Sequence, residues 1–181
     1  KSLVASLEYG NPSETAFTLM TGITQDEDSL LGSTGNDAYS MSGSRSNTTF
    51  AAIKAQNQLT NDLTLTGIAT NAKTDMSGPT QSYINSANSV KSSSVSLIAS
   101  QQNITGDDRL SLSISQPNRV NGGDMSIRLS NLAESDGSIS YRDSNINLEP
   151  TGRQMVYGLS YSKDLSEGIG FSVKHLLTSN L

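Results

Sequence analysis

The sequence predicts an all-β protein, an antiparallel up-and-down β-barrel of roughly 8–12 strands, with a β-sandwich as the alternative architecture. Three observations predict it. Apolar residues recur with a period of two along most of the 181 residues. The connectors between the alternating segments are mostly short and carry Gly, Asp and Asn, which tolerate turn geometry. The composition combines 34% hydrophobic with only 16% charged residues, and Ser, Thr, Asn and Gly fill the gap. That mixture suits strands with one apolar and one small polar face, whereas disorder combines low hydrophobicity with high net charge.

The elements follow in order. Leu3, Ala5, Leu7 and Tyr9 share one face of a first strand, against Val4, Ser6 and Glu8. Phe17, Leu19, Thr21 and Ile23 make the next. Residues 26–47, acidic and then Gly/Ser-rich, read as a long link. Residues 48–59 and 63–72 read as strands joined by the polar turn Thr60-Asn61-Asp62. Residues 74–89, polar and containing Gly78-Pro79, read as a second long link. The clearest alternation sets Leu110, Leu112 and Ile114 against Ser111, Ser113 and Ser115. A helix would scatter these residues round its axis; a strand puts all three apolar groups on one side. Further strands are expected at Met125, Ile127 and Leu129, at Ile139 and Tyr141, at Tyr157, Leu159 and Tyr161, and at Ile169, Phe171 and Val173. Turns are expected at Gly106-Asp107-Asp108, Asn121-Gly122-Gly123, Asp136-Gly137, Pro150-Thr151-Gly152 and Glu167-Gly168. Short connectors impose antiparallel neighbours, because a parallel crossover needs about a dozen residues or more. Closure into a barrel is expected because it removes exposed edges.

The bulk charge narrows the partners. Net charge is −5 and the sequence pI is about 4.7. Nucleic acid is excluded, since a binder needs a cationic surface to displace counterions. Adsorption to an anionic membrane surface is disfavoured for the same reason. With no Cys there is no disulfide and no thiolate metal site. A spanning helix would need roughly 18 apolar residues in a row, and none are present; spanning strands need only about 9–11. Against a lipid-facing sheet stand the absence of Trp, only 3 Phe and 6 Tyr for aromatic girdles, and three or four apolar residues per strand. On these grounds the residues favour a water-soluble or peripheral β-domain. The chain opens on Lys1-Ser2-Leu3 with neither signal peptide nor initiating Met. We therefore expect a single β-domain, 1–181, from the C-terminal part of a longer polypeptide.

Chemistry is sparse. A Ser-His-Asp triad needs a histidine base, and the only candidate, His175, sits late in the last strand without a Gly-x-Ser-x-Gly elbow. A strand-surface histidine is the plainer reading, and a lone histidine does not make a zinc site. Asp26, Glu27, Asp28 and Asp37 offer oxygen ligands for calcium, but an EF-hand loop counted from Asp26 has Leu31 where Gly is required. A solvated acidic loop is favoured over that site. The remaining acids, such as Asp107, Asp108, Asp164 and Glu167, fall in turns rather than in converging pairs. The sequons Asn47-Thr48-Thr49 and Asn103-Ile104-Thr105 are expected by chance in so Asn- and Thr-rich a chain. Arg119, Arg142 and Arg153, beside Gln116, Asp143 and Gln154, either pair with acids inside a barrel or are surface charge. No cofactor is expected.

Several stretches together resemble a known family. Asp108-Arg109-Leu110-Ser111-Leu112-Ser113-Ile114-Ser115-Gln116-Pro117-Asn118-Arg119-Val120 resembles a D-R-L-x-L-x-x-S-Q-P-x-R-V segment, with Asn118 where Leu is usual. That segment belongs to the C-terminal β-region of proteobacterial subtilisin-like (S8 family) serine peptidases with autotransporter-like layout. Leu30-Leu31-Gly32 followed by Gly35 and Ala38, Thr49-Phe50, Tyr141-Arg142, Leu148-Glu149-Pro150-Thr151-Gly152-Arg153-Gln154 and Gly158-Leu159-Ser160-Tyr161-Ser162 are similar to further pieces in the same order. The resemblance marks Ser115, Gln116, Pro117, Arg119, Val120, Gly152, Arg153 and Gln154 as structural motif residues. It implies a non-catalytic domain for secretion, anchoring or surface presentation of an upstream subtilisin-like protease in the same chain. It also implies a Gram-negative envelope location, at the outer membrane or cell surface. The residues by themselves also admit a soluble β-barrel that binds a small apolar ligand, or a structural or adhesive surface module.

Overall fold

The computed structural model, which describes residues 1–79, 82–133, 137–166 and 169–180, is one antiparallel sheet of nine strands. In chain order they are β1 (Ser2–Asn11), β2 (Thr15–Glu27), β3 (Arg45–Gln58), β4 (Leu63–Ser77), β5 (Ile84–Gln102), β6 (Asp108–Ala133), β7 (Ile139–Asn147), β8 (Gln154–Ser166) and β9 (Ile169–Asn180). A single 3-10 turn, Asp37–Tyr39, interrupts the link between β2 and β3. The all-β antiparallel class and the up-and-down order are those the alternation predicts.

Four details differ from the sequence reading. First, residues 108–133 form one strand, not two joined at Asn121-Gly122-Gly123. The glycines serve a bulge instead: Gly123 has φ +125°, and a Cβ there would lie 2.6 Å from the Val90 Cα. Second, the polar stretch 74–89 is mostly strand. β4 continues to Ser77 and β5 starts at Ile84, a strand whose Ser-rich sequence hides its alternation. Third, Pro150-Thr151-Gly152 does not turn a hairpin. β7 pairs with Asp124–Ala133 of β6 and β8 with Asp108–Ser115, so β7 and β8 lie end to end along the same edge. Fourth, the sheet is not closed into a barrel. Its path β1-β2-β3-β4-β5-β6-β8-β9 leaves β1 and β9 as free edges among the described residues. Alternation alone does not enforce closure, and appreciable contact between strands is confined to ladder neighbours, so nothing draws β1 toward β9. Of the expected turns, Asp136 and the Glu167-Gly168 pair lie outside the described residues.

Eight strand positions in alternating directions divide the links into two sets. One end of the sheet carries only brief connections, among them 12–14, 59–62 and 103–107. The other carries the long link 28–44, the link 78–83 and the protruding ends of β4, β5 and β6 with β7. A small core fills this protruding extension. Leu30, Met41, Met76, Ile84, Ala87, Val90 and Ile127 are buried together, with Val120, Met125, Leu129 and Leu148 packed against them.

Candidate functional site

Two places have the build of a site. The first is where the family-motif residues meet. The β6–β8 ladder ends at Ser115↔Val156, and the β6–β7 ladder resumes only at Asp124↔Asn147. Residues 116–123 face residues 148–153 across this gap. On the β5 side Gln116 pairs with Val95, Arg119 with Ser93 and Val120 with Ser92, so Pro117-Asn118 form a bulge. That accommodates proline, which has no N–H to give a ladder.

Arg119 closes the gap. Its Nε donates to Gly152 O at 3.1 Å, Nη2 to Pro150 O at 2.8 Å and Nη1 to Asn121 Oδ1 at 3.1 Å. Glu149 Oε1 is 3.6 Å from Nη1. A rigid fork of donors suits such a set of acceptors. An open cleft of about 540 Å³ remains, lined by Pro117, Val120, Leu148, Gly152, Arg153 and Gln154 among others. The structure thus brings six of the marked residues, Pro117, Arg119, Val120, Gly152, Arg153 and Gln154, to one cleft, while Gln116 pairs with Val95 and Ser115 marks the last rung of the β6–β8 ladder. Arg119 is consumed by structure, and Arg142 and Arg153 are exposed. Chemically the arrangement locks a chain excursion; it sets no nucleophile beside a base.

The second place is the outer face of the sheet. Between the two ends, one face exposes most of the large apolar side chains. In β3, Ile53 is 50% exposed while its neighbour Ala52, on the other face, is 6%. The ladders align these residues across the whole sheet. Leu7 faces Leu19, Leu19 faces Ile53, Leu97 faces Ile114, Leu112 faces Leu159 and Tyr157 faces Leu177. The opposite face is mixed: apolar groups such as Phe50, Ile68 and Ile98 sit among small hydroxyl side chains, some of which bond one another, as Ser100 Oγ does Ser111 Oγ at 2.8 Å and Thr48 Oγ1 does Thr74 Oγ1 at 2.8 Å. From Phe17 to Ile23 this apolar band measures about 20 Å at ~3.4 Å per residue. Tyr9 faces Phe17 near its brief-turn rim, where Tyr161 and Phe171 also lie.

The remaining candidates separate. His175 lies on the outer face opposite Leu159 and makes no hydrogen bond or ion pair among the described residues. Asp28 Oδ1 accepts from Gly43 N at 2.5 Å, which pins the long link rather than a cation. Among the described residues no three His, Cys, Asp or Glu side chains are grouped to hold a metal. Among the described residues no helix is long and apolar enough to cross a membrane, which leaves strands unaddressed. No known family model, curated protein or solved structure matches the chain.

Proposed function

We propose that this chain is a membrane-embedded, non-catalytic β-domain of the Gram-negative outer membrane that anchors or presents an upstream subtilisin-like protease at the cell surface. One observation carries the membrane part: most of the large apolar side chains of the band share one exposed face from β1 to β9, while the other face mixes Ser and Thr with fewer apolar groups such as Phe50, Ile68 and Ile98. That is the pattern of a sheet solvated by lipid. The resemblance of Ser115–Val120 and Gly152–Gln154 to the peptidase family supports the protease part. A soluble barrel around an apolar ligand needs those same side chains inside, so their exposure gives that alternative no support.

The asymmetry of the links supports an orientation. Outer-membrane sheets have short periplasmic turns and longer extracellular loops. The brief-turn end with Tyr9, Phe17, Tyr161 and Phe171 then faces the periplasm, and the extension stands outside. Hydrocarbon does not tolerate unpaired backbone groups, each costing several kcal/mol. The free edges of β1 and β9 therefore gain ladder partners on insertion.

Vesicle flotation of the refolded chain tests the reading. We expect it to float with vesicles after an alkaline wash, and the β1 backbone amides to exchange slowly there. A chain that stays monomeric in detergent-free buffer and leaves the vesicles on washing would overturn it.

A further inference from the structure

The β4–β5 ladder runs without a shift from Leu63↔Gln101 to Thr74↔Val90. Its outer face reads as five successive rows: Leu65–Ala99, Gly67–Leu97, Ala69–Val95, Asn71–Ser93 and Lys73–Lys91. Three rows are apolar and two are hydrogen-bonding or cationic. The last row sets like charges directly opposite each other, which a ladder disfavours unless something compensates. The compensation within the chain is partial. Lys73 Nζ lies 3.2 Å from Asp75 Oδ2, while Asp75 Oδ1 already accepts the Ser89 N–H at 2.7 Å. Lys91 is exposed and has no hydrogen bond or ion pair among the described residues. Ser93 Oγ accepts from Asn121 Nδ2 at 2.6 Å, which leaves its O–H to donate.

Below these rows the apolar face is hollowed. Leu65, Leu97, Ala99, Leu112, Ile114 and Leu177 line an open cleft of about 440 Å³. Beside Leu97 in the ladder, Gly67 leaves the face open, since a Cβ there would meet nothing within 4 Å. From Lys91 to Leu97 the strand covers about 20 Å at ~3.4 Å per residue, close to the length of a lipid acyl chain.

We propose that this face is a binding site for one anionic phospholipid, with its phosphate between Lys73 and Lys91 and an acyl chain running past Val95 into the cleft beside Leu97. The site rests on the membrane reading above. Two ammonium groups, the Asn71 amide and the Ser93 hydroxyl supply donors to the phosphate oxygens. The net charge of −5 opposes adsorption from solution, but it does not act against two lysines fixed at the margin of the band.

The test uses the full chain in neutral-detergent micelles, offered phosphatidylglycerol or phosphatidylcholine with the same acyl chains and read by native mass spectrometry. Wild type is expected to retain phosphatidylglycerol about thirtyfold better, the effect of roughly two lysines near an anionic lipid. The K73Q/K91Q variant, which changes only exposed side chains, is expected to lose that preference. Equal retention of the two lipids, or a preference that survives in the variant, would sink the site. Full displacement by millimolar inorganic phosphate would also sink it, since the acyl chain would then contribute nothing. If neither lipid is retained and the chain is monomeric without detergent, the membrane reading fails and the site falls with it.

Discussion

The band and the extension are built from the same strands yet invert each other. In the band Leu112 of β6 points outward and is 55% exposed, whereas in the extension Ile127 of the same strand points inward and is 9% exposed. The inner face of β6 carries Ser111, Ser113 and Ser115 first, then Met125, Ile127 and Leu129. Its outer face changes from Leu112 and Ile114 to Asp124, Ser126 and Arg128, and β4 changes from Leu65 and Ala69 to Lys73 and Asp75. The strand propensity is constant while the choice of apolar face reverses. On the proposed membrane reading, the reversal matches each region to a different surround, water around the extension and an apolar phase around the band. Between them lie the irregularities: the Pro117-Asn118 bulge, Ser89 at φ 51° and Gly123 at φ 125°. These let β5 and β6 change curvature as they pass from one region to the other.

The largest effect that sharpens the comparison lies in the extension. Met76 is 2% exposed within the buried cluster. Met76→Ala is expected to destabilise the extension by about 2–5 kcal/mol, the usual cost of a large-to-small change in a packed core. Amide exchange along 84–91 and 124–129 in micelles measures it. Flotation with vesicles should stay unchanged, because Met76 takes no part in the apolar band.

The converse variant is Leu112→Arg. An arginine on the lipid face near the midplane costs roughly 2–4 kcal/mol, so the inserted fraction in vesicle partitioning should fall by more than tenfold. Extension amides should exchange as in wild type. Ser126→Arg places the same charge on the outer face of the extension, beside the native Arg128–Asp143 pair at 3.4 Å, and should shift stability by less than about 0.5 kcal/mol. If Leu112→Arg and Ser126→Arg behave alike, the two regions share one solvent and the distinction drawn here is wrong.

The period-two alternation made most of these strands legible, because side-chain direction depends only on local backbone geometry. What it could not show was where a strand ends. Met125, Ile127 and Leu129 looked like a new strand because Asn121-Gly122-Gly123 has the composition of a turn, and across it the apolar residues jump from even to odd positions. In the structure that jump is the reversal of faces within β6. β5 escaped for a related reason: its inner face from Ser92 to Ser100 carries four serines and only Ile98, little more apolar than a loop. The cleft around Arg119 was legible as two separate motifs, but their meeting depends on β7 and β8 sharing one edge of β6, which is a long-range property. The Lys73–Lys91 row left no local signal, since only the register between two strands creates it.

A last and smaller contrast concerns the brief-turn end. Asp108 is the first residue of β6, just after the turn 103–107 and outside the apolar rows, and is 5% exposed. Its carboxylate accepts from Thr105 Oγ1 at 2.7 Å, from the N–H groups of Ile104 at 2.7 Å and Thr105 at 3.2 Å, and from Tyr161 Oη at 3.0 Å. These bonds, the Thr105 hydroxyl foremost, hold its pKa below the ordinary carboxylate value despite the opposing effect of burial. A carboxylate whose folded pKa is depressed stabilises the fold fully above its unfolded pKa of about 3.9, and that contribution fades as pH falls through the lower folded value. The turn 103–107 and its tie to Tyr161 should therefore loosen below about pH 4, while the extension core, which contains no ionisable group, holds. Exchange at the Ile104 and Thr105 amides, corrected for intrinsic rates, reads this directly. Asp108→Asn should show the loosened turn at neutral pH and lose the pH dependence. If it keeps that dependence, another carboxylate holds this end of the sheet.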